Sequence, residues 1–151
     1  MDETAAADAL RADAVSVRYG DVHALQEASF AVGAGQFLAV TGPSGAGKTT
    51  LLWALAGALR VTGGAVTWSG QPVHERTESA RAGIVLVPQG NGLARTLTAA
   101  ENILVALVGT GAPVQGAQTR AAEALALVGL EESGNHLIEE LSGGQQQRVA
   151  I

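Results

Sequence analysis

The feature that most restricts how this chain can fold is the glycine-rich run of residues 42–49, which reads Gly-Pro-Ser-Gly-Ala-Gly-Lys-Thr. It matches the pattern G-x-x-x-x-G-K-[ST] and lies between an apolar run at residues 36–41 and a leucine- and alanine-rich stretch at residues 48–60. The apolar run predicts a strand that is buried on both faces, and the proline-free stretch predicts a helix. A strand, a glycine loop and a helix in this order form a phosphate-binding loop.

This loop suits a nucleotide triphosphate and its metal ion. Glycines let the backbone wrap closely around phosphate oxygens, and the helix that follows adds the positive end of its dipole. Lys48 is predicted to bridge the β- and γ-phosphates, and the Thr49 hydroxyl is predicted to bind Mg²⁺. The alternative is a glycine-rich turn that contains a lysine by chance. The remaining predicted phosphate contacts come from Gly42, Ser44, Gly45, Ala46, Gly47 and Thr50.

The overall composition limits the classes of partner. Lys and Arg number 9 against 14 Asp and Glu, which gives a net charge of -5. A general electrostatic footprint for nucleic acid is therefore missing, and no nucleic-acid partner is expected. The sequence has no cysteine, which excludes disulfides and thiolate metal sites and fits a reducing cytosol. No apolar stretch approaches the ~20 residues of a membrane-spanning helix.

The residues around the loop predict the rest of the core of an α/β fold. Residues 15–19 and 24–32 mix apolar and polar positions, as half-buried strands of an antiparallel sheet do. Gly20 and Asp21 supply the turn between them. Further short strands are expected at residues 65–68 and 84–87.

From about residue 91 the sequence is rich in helix formers, which predicts an α-helical subdomain. Thr98 and Glu101 have the spacing of a capping box at the start of a first helix. A second helix is expected at residues 119–128, with Gly129 as its stop and Leu130 as the hydrophobic contact after it. The predicted organisation is a disordered or frayed lead, a nucleotide-binding core and a helical subdomain, at residues 1–13, 14–90 and 91–151.

A second motif, Leu-Ser-Gly-Gly-Gln at residues 141–145, suits another anion. Ser142 and Gln145 have capping-box spacing, and the adjacent Gly143 and Gly144 expose N–H groups at a helix start. One chain could therefore bind two anions, or two copies could each contribute one site to a shared nucleotide. An ordinary capped helix is the third interpretation.

Residues 141–148 resemble the signature motif of ATP-binding cassette (ABC) ATPases. By this resemblance the chain is identified as an ABC transporter ATP-binding protein that is truncated after the signature. The resemblance implies a P-loop NTPase of ABC type, with a mixed β-sheet core, an antiparallel β subdomain and an inserted α-helical subdomain. It also implies ATP and Mg²⁺ as cofactors and a head-to-tail dimer, homo- or heteromeric. In that dimer Ser142, Gly143, Gly144 and Gln145 would contact the ATP held by the partner.

Two further positions resemble functional residues of the family. Val87-Pro88-Gln89 resembles the Q-loop, in which Gln89 would contact Mg²⁺ and the attacking water, so that Lys48 and Gln89 are the predicted catalytic residues. Tyr19 resembles the aromatic residue that stacks on adenine, a role that suits its flat ring. The alternatives are a solvated glutamine after a strand and a tyrosine that packs on the sheet.

The sequence also departs from the family pattern. In the family an apolar strand ending in Asp-Glu and a histidine switch follow the signature helix, whereas this sequence ends at Ile151. The C-terminal part of the core is therefore missing, and His23, His74 and His136 do not match the switch. The expectation is that these 151 residues bind ATP weakly without efficient hydrolysis, although the full-length parent is an ATPase.

The function implied by the resemblance is the energy-supplying subunit of a transporter. ATP-driven dimerisation would move membrane-spanning permease subunits, and the protein would lie in the cytoplasm, peripheral on the inner face of the cell membrane. The alternatives are a soluble ABC ATPase used in DNA repair or translation, and a non-catalytic nucleotide-binding module. Cargo and direction of transport are not encoded in these motifs.

Overall fold

The structure is a computed structural model that describes residues 8–151, and it divides into two compact units. The first unit extends to Leu86 and the second spans Val87–Ile151, so the division falls four residues before the boundary predicted at residue 90. The elements of the first unit are β1 (Asp8–Tyr19), β2 (Val22–Gly33), α1 (Lys48–Leu55), β3 (Gly63–Trp68), β4 (Gln71–Pro72) and α2 (Arg76–Arg81).

The described strands form one antiparallel sheet in the order β2-β1-β3-β4. β1 and β2 are a hairpin in which Tyr19 pairs with Val22 across the predicted turn. Alternate residues of β1, Val15 and Val17, are fully buried because they point towards the core. That core is completed by residues of α1 and β3, namely Leu51, Ala54, Leu55 and Val66. Burying these apolar side chains holds α1 in the first unit.

The predicted disordered or frayed lead at residues 1–13 is wrong for residues 8–13, which belong to β1. Leu10 pairs with Val32 on β2 and with Trp68 on β3, and Ala12 is buried. Pairing on both sides satisfies the backbone groups of this segment, which the alanine-rich composition did not reveal. Residues 1–7 lie outside the described residues.

The strands predicted at residues 36–41 and 84–87 are not formed, because both segments are irregular. Phe37 is 94% exposed and Val85 is 75% exposed. A strand needs a neighbour to satisfy its backbone hydrogen bonds, and no strand within residues 8–151 pairs with either segment. The described sheet is therefore antiparallel only, whereas the sequence predicted a mixed one.

Helix α1 is shorter than the predicted helix at residues 48–60, because it ends at Leu55. Gly57 takes the left-handed conformation, with a φ of 66°, and the Ala58 N–H donates to the Trp53 carbonyl oxygen. This is the usual helix stop at a glycine. Gly57 therefore ends the helix within the stretch that the sequence predicts to be helical.

The second unit is helical, as predicted. Each of its main elements contributes at least one buried residue to the core, among them Leu125, Ile138 and Val149. The predicted stop at Gly129 is confirmed, with a φ of 67° and a buried Leu130 after it. Among the described residues, no helix is long and apolar enough to cross a membrane. The elements are α3 (Ala99–Gly109), α4 (Ala117–Leu127), α5 (Gly143–Ala150) and the 3-10 turns Glu131–Ser133 and Ile138–Glu140.

Candidate nucleotide-binding site

The glycine loop of residues 42–47 enters α1 through backbone conformations that favour glycine. Gly42, Gly45 and Gly47 all have positive φ angles, of 148°, 83° and 81°. At Gly47 a Cβ would also overlap the carbonyl oxygen of Ala24 on β2. Strand β2 therefore supports the last residue of the loop so closely that only glycine fits there.

The N-terminus of α1 has no side-chain cap. The first bond of the helix runs from the Leu51 N–H to the Gly47 carbonyl oxygen, at 2.8 Å. Within residues 8–151, the N–H groups of Lys48, Thr49 and Thr50 have no acceptor. Three unpaired donors at the positive end of a helix are suited to a phosphate group.

The Lys48 side chain lies along the same loop. Its Nζ donates to the carbonyl oxygens of Gly42 at 2.9 Å and of Pro43 at 2.7 Å. An ammonium group has three donors, so a third remains for a phosphate oxygen beside the loop. The predicted phosphate lysine is therefore held at the loop by the loop's own backbone.

The remaining predicted loop residues are accessible from outside. The side chains of Ser44, Ala46 and Thr49 are exposed, and that of Thr50 is half-buried. The Thr49 hydroxyl is a hard oxygen donor of the kind Mg²⁺ takes. Within residues 8–151 no cluster of three or more histidine, cysteine or carboxylate side chains could hold a metal ion. This donor set fits Mg²⁺ only as an ion bound largely by phosphate oxygens and water.

Tyr19 lies in the same unit as the glycine loop, as the last residue of β1. It is 52% exposed, next to the hairpin turn at Gly20. Exposure of half the side chain leaves a ring face accessible for stacking on a base. The alternative, that Tyr19 packs on the sheet, accounts for the buried half of its side chain but not for the exposed half.

Gln89 belongs to the second unit, in the turn that follows Val87. The Asn91 N–H donates to the Pro88 carbonyl oxygen at 3.0 Å, and the Gln89 side chain is exposed. Residues of this turn line an open cleft of about 580 Å³ together with Gly143, Gln147 and Ile151. The structure thus brings the Gln89 turn to the start of α5, where the second motif lies.

The second motif forms the capping box that its spacing predicts. The Ser142 Oγ accepts from the Gln145 N–H at 3.3 Å, and the Gln145 Oε1 accepts from the Ser142 N–H at 2.9 Å. Ser142 has an extended backbone, with φ −61° and ψ 156°, as a helix N-cap requires. Its hydroxyl hydrogen remains able to donate to another group, because the oxygen acts here as an acceptor.

The glycines of this motif differ from Gly47 in one respect. Gly143 and Gly144 do not have positive φ angles, and a Cβ at either would meet no atom within 4 Å. Nothing in the fold of the described residues therefore requires glycine at these positions. Both are exposed, so the missing side chains give a group from outside access to the first N–H groups of α5.

Two amide side chains in the second unit, those of Asn102 and Gln146, have structural roles that the sequence does not predict. Asn102 accepts from the Ala94 N–H and donates to three backbone carbonyl oxygens, and Gln146 donates to the carbonyl oxygens of Ile138 and Leu141. Gln146 follows the five-residue motif directly, which is the only sequence signal that points to it. Asn102 follows the capping Glu101.

The Glu101 carboxylate, near the start of α3, accepts hydrogen bonds that shift its pKa. The Thr98 N–H donates to its Oε2 at 2.8 Å, and the Thr98 hydroxyl lies 3.0 Å from the same oxygen. These bonds favour the charged form and lower the pKa of Glu101 below its ordinary value. The predicted capping box at the start of α3 is therefore confirmed.

A family model described as ABC transporter matches residues 25–151 of the chain, from strand β2 to the end of α5. The chain belongs to the ABC transporter family. The lipoprotein-releasing system ATP-binding protein LolD of Chromohalobacter salexigens is 43% identical over 136 residues, which are 87% of this chain and 57% of that protein. This ABC transporter family chain therefore spans little more than half the length of that relative.

Solved structures of ATP-binding cassettes have the same fold. The dimeric post-hydrolysis state of the cassette MJ0796, bound to ADP and Pi, is similar with a TM-score of 0.78 and 30% identity, over 93% of this chain and 66% of that one. A nucleotide-free cassette from an ABC transporter has a TM-score of 0.83 at 24% identity, over 95% of this chain and 62% of that one. The predicted fold class, a P-loop NTPase of ABC type, is confirmed.

Proposed function

We propose that the chain is the ATP-binding part of an ATPase subunit of an ABC transporter. The observation that carries the proposal is the start of α1, where three unpaired N–H groups and the Lys48 ammonium converge on one glycine loop. This combination of donors and positive charge suits the β- and γ-phosphates of a nucleotide. The family model is described as ABC transporter, and the LolD relative is named as the ATP-binding protein of a lipoprotein-releasing system, which favours transport over the soluble ABC ATPase.

Each predicted residue has a defined part in this proposal. The N–H groups of the loop and Lys48 bind the phosphates, and Tyr19 stacks on the adenine ring. Thr49 and Gln89 would each offer a side-chain oxygen to Mg²⁺. When bound, Mg²⁺ neutralises charge that develops on the phosphates. Lys48 adds a second positive charge that favours the same charge distribution, which makes it a catalytic residue of the proposed reaction.

We also propose that the signature motif binds the ATP of a second nucleotide-binding domain, arranged head to tail. Gly143 and Gly144 support this, because glycine there serves no need of the chain's own fold. The cassette MJ0796, 30% identical to this chain, is described as dimeric in its state with ADP and Pi. Ser142 and Gln145 would complete the contact through the free hydroxyl hydrogen and the capped helix start.

The proposed partners beyond the dimer are membrane-spanning permease subunits. The LolD relative is named as part of a lipoprotein-releasing system, which makes a system of that class the first to test. ATP-driven dimerisation would do mechanical work on the permease only where the domain is bound to it. The proposed location is therefore the cytoplasm, at the inner face of the cell membrane.

The shared site is tested by complementation between two variants of the full-length subunit. Lys48→Ala removes the phosphate lysine, and Ser142→Ala removes the signature hydroxyl. Each variant alone is expected to lose about 100-fold in ATP hydrolysis, the loss typical of one removed transition-state donor. Mixed together they form heterodimers with both defects in one site and an intact second site, so part of the activity returns.

Titration of one variant into a fixed amount of the other measures this recovery, and Lys48→Ala mixed with itself is the control. Recovery in the mixture supports a site shared between two copies. If neither variant lowers hydrolysis, the proposed roles of Lys48 and Ser142 are wrong. If both lower it and the mixture stays inactive, each copy works alone.

A further inference from the structure

The start of α5 is held by a side chain from its own first turn. The Gln146 Nε2 donates to the carbonyl oxygens of Ile138, at 2.9 Å, and of Leu141, at 3.0 Å. The backbone N–H of Gln146 donates to the Ser142 carbonyl oxygen at 2.9 Å. Three hydrogen bonds from one residue therefore converge on the segment that leads into the signature motif.

The other supports of this segment include the buried side chain of Leu141, the Leu141 N–H bond to the Ile138 carbonyl oxygen and the capping box of Ser142 and Gln145. Leu141 and Ser142 are both extended, with ψ angles of 143° and 156°, so the Leu141 carbonyl oxygen lies outside the helical hydrogen-bond pattern. Gly143 and Gly144 have no side chains, and nothing lies where a Cβ would be. The position of their N–H groups is therefore set by the chain just before them and not by side chains of their own.

Ile138 is also bonded to the turn that precedes α3. The Ile138 N–H donates to the Leu97 carbonyl oxygen at 3.2 Å. The Asn102 Nδ2 donates to the carbonyl oxygens of Ala94 at 3.1 Å and Thr98 at 2.9 Å, and at 3.4 Å to that of Leu97. Ile138 is buried in the core of the unit. Ile138 thus joins a turn fixed by Asn102, through its N–H, to a helix start fixed by Gln146, through its carbonyl oxygen.

We propose that Gln146 is a positioning residue for the signature motif. Its carboxamide holds the Ile138 and Leu141 carbonyl oxygens together and so fixes the direction from which the chain enters Ser142. That direction decides where the open N–H groups of Gly143 and Gly144 point, and hence how well they meet the phosphate of a second copy. The inference rests on the proposed function, because it assigns the helix start a ligand held by that copy.

The test uses the full-length subunit with three substitutions at this position. Gln146→Glu keeps the size of the side chain but replaces the donor with a second acceptor, which faces two carbonyl oxygens. Gln146→Leu removes the donor without adding charge. Gln146→Lys restores N–H donors on a side chain long enough to reach both carbonyl oxygens. Gln118→Glu and Gln118→Leu are the matched controls, because Gln118 is an exposed glutamine near the start of α4.

Three measurements separate positioning from folding. The first is the affinity of the monomer for a non-hydrolysable ATP analogue, which reports the glycine loop. The second is the dimer dissociation constant with that analogue and Mg²⁺, from sedimentation. The third is amide hydrogen exchange at residues 141–145, which reports the approach to the helix directly and needs no dimer.

Gln146→Glu and Gln146→Leu are expected to weaken dimerisation about 10-fold and to speed exchange by a similar factor, as loss of two ordinary hydrogen bonds predicts. Monomer affinity should stay unchanged, and Gln146→Lys should stay within about 3-fold of wild type. The inference would be overturned if Gln146→Lys lost as much dimer affinity as Gln146→Glu, or if the Gln118 variants lost as much as the Gln146 variants. Unchanged amide exchange in Gln146→Glu would overturn it as well. A wild-type subunit that never dimerises overturns the proposed function instead, and exchange still decides whether Gln146 holds the segment.

Discussion

The starts of α1 and α5 both contain glycine at a proposed phosphate contact, but the glycines are there for different reasons. At Gly47 the backbone is left-handed and the Ala24 carbonyl oxygen occupies the space of a side chain. At Gly143 and Gly144 the backbone is ordinary and the space is open. The first glycine is required by the chain's own fold, whereas the other two are not.

The two helix starts also differ in how their donors are treated. At α1 the N–H groups have no cap, and a flexible lysine covers the loop. At α5 the chain satisfies two of its own groups through Ser142 and Gln145. The start of α1 is shaped by the chain's own fold, which suits a ligand bound within one chain. The start of α5 caps itself and leaves its glycine N–H groups open, which suits a ligand brought by another molecule.

The largest expected effect comes from adding a methyl group at Gly47. Gly47→Ala forces a left-handed alanine, which costs about 1–2 kcal/mol, and the overlap with Ala24 adds to this for a total of roughly 3–5 kcal/mol of unfolding free energy. Gly45→Ala is the matched control, because Gly45 has the same φ sign and open space, and it should cost only about 1–2 kcal/mol. Urea denaturation measures both. Equal costs would remove the contrast between the helix starts.

A methyl group at Gly144 should stabilise the fold, whereas a methyl group at Gly47 should destabilise it. Alanine is a better helix former than glycine, so Gly144→Ala should raise the unfolding free energy by up to about 1 kcal/mol. Nucleotide-dependent dimerisation should nevertheless weaken at least about 10-fold, because the methyl group blocks the approach of phosphate. On the same preparation, denaturation measures the unfolding free energy and sedimentation measures dimerisation. A destabilised variant would mean that the fold does require glycine there.

The capping boxes at the starts of α3 and α5 should differ in their response to acid. The pKa of Glu101 is lowered chiefly by the Thr98 N–H and then by the Thr98 hydroxyl, so the carboxylate stabilises the folded state above the ordinary Glu pKa. That contribution is lost as the pH falls from there through the lowered pKa. Glu101→Gln should flatten this part of the pH dependence of thermal stability, whereas Gln145→Ala should leave its slope unchanged, since Gln145 does not titrate. A slope that Glu101→Gln leaves intact would contradict the assignment.

The smallest expected effect concerns the segment that leads into α1. Phe37 is almost fully exposed, so Phe37→Ser should change the unfolding free energy of the 151-residue chain by no more than about 0.5 kcal/mol. Leu51→Ala, in the buried core, provides the scale at about 2–5 kcal/mol. Thermal unfolding followed by circular dichroism compares them. A large loss at Phe37 would mean that residues 36–41 form the buried strand that the sequence predicts.

The local parts of both sites could be predicted from sequence because each depends on residues close together in the chain. Ser142 and Gln145 form their capping box across three residues, and Gly129 ends α4 by taking the left-handed conformation. Residues 36–41 show the opposite case. Their apolar pattern predicts burial in a strand, but a strand also needs a neighbour, and no local pattern encodes one.

The same limit explains why the sequence did not predict the strand at residues 8–13 or the role of Gln146. Residues 8–13 look like a frayed lead until their pairing with β2 and β3 is known. The role of Gln146 depends on Ile138, eight positions earlier, which approaches it only through the turn before α5. Which residues carry the proposed ATP chemistry could be predicted from two motifs, whereas what holds the motifs in place could not.

The open space at Gly143 and Gly144 has a consequence for how variants of this protein would be sorted in a large mutational survey. A survey scored on protein abundance in cells would rank Gly47 among the intolerant positions and would pass most small substitutions at Gly143 and Gly144. A survey scored on growth that depends on the proposed transport function would reject substitutions at all three. Positions at which the two scores disagree would therefore mark, without any structure, the surface reserved for another molecule.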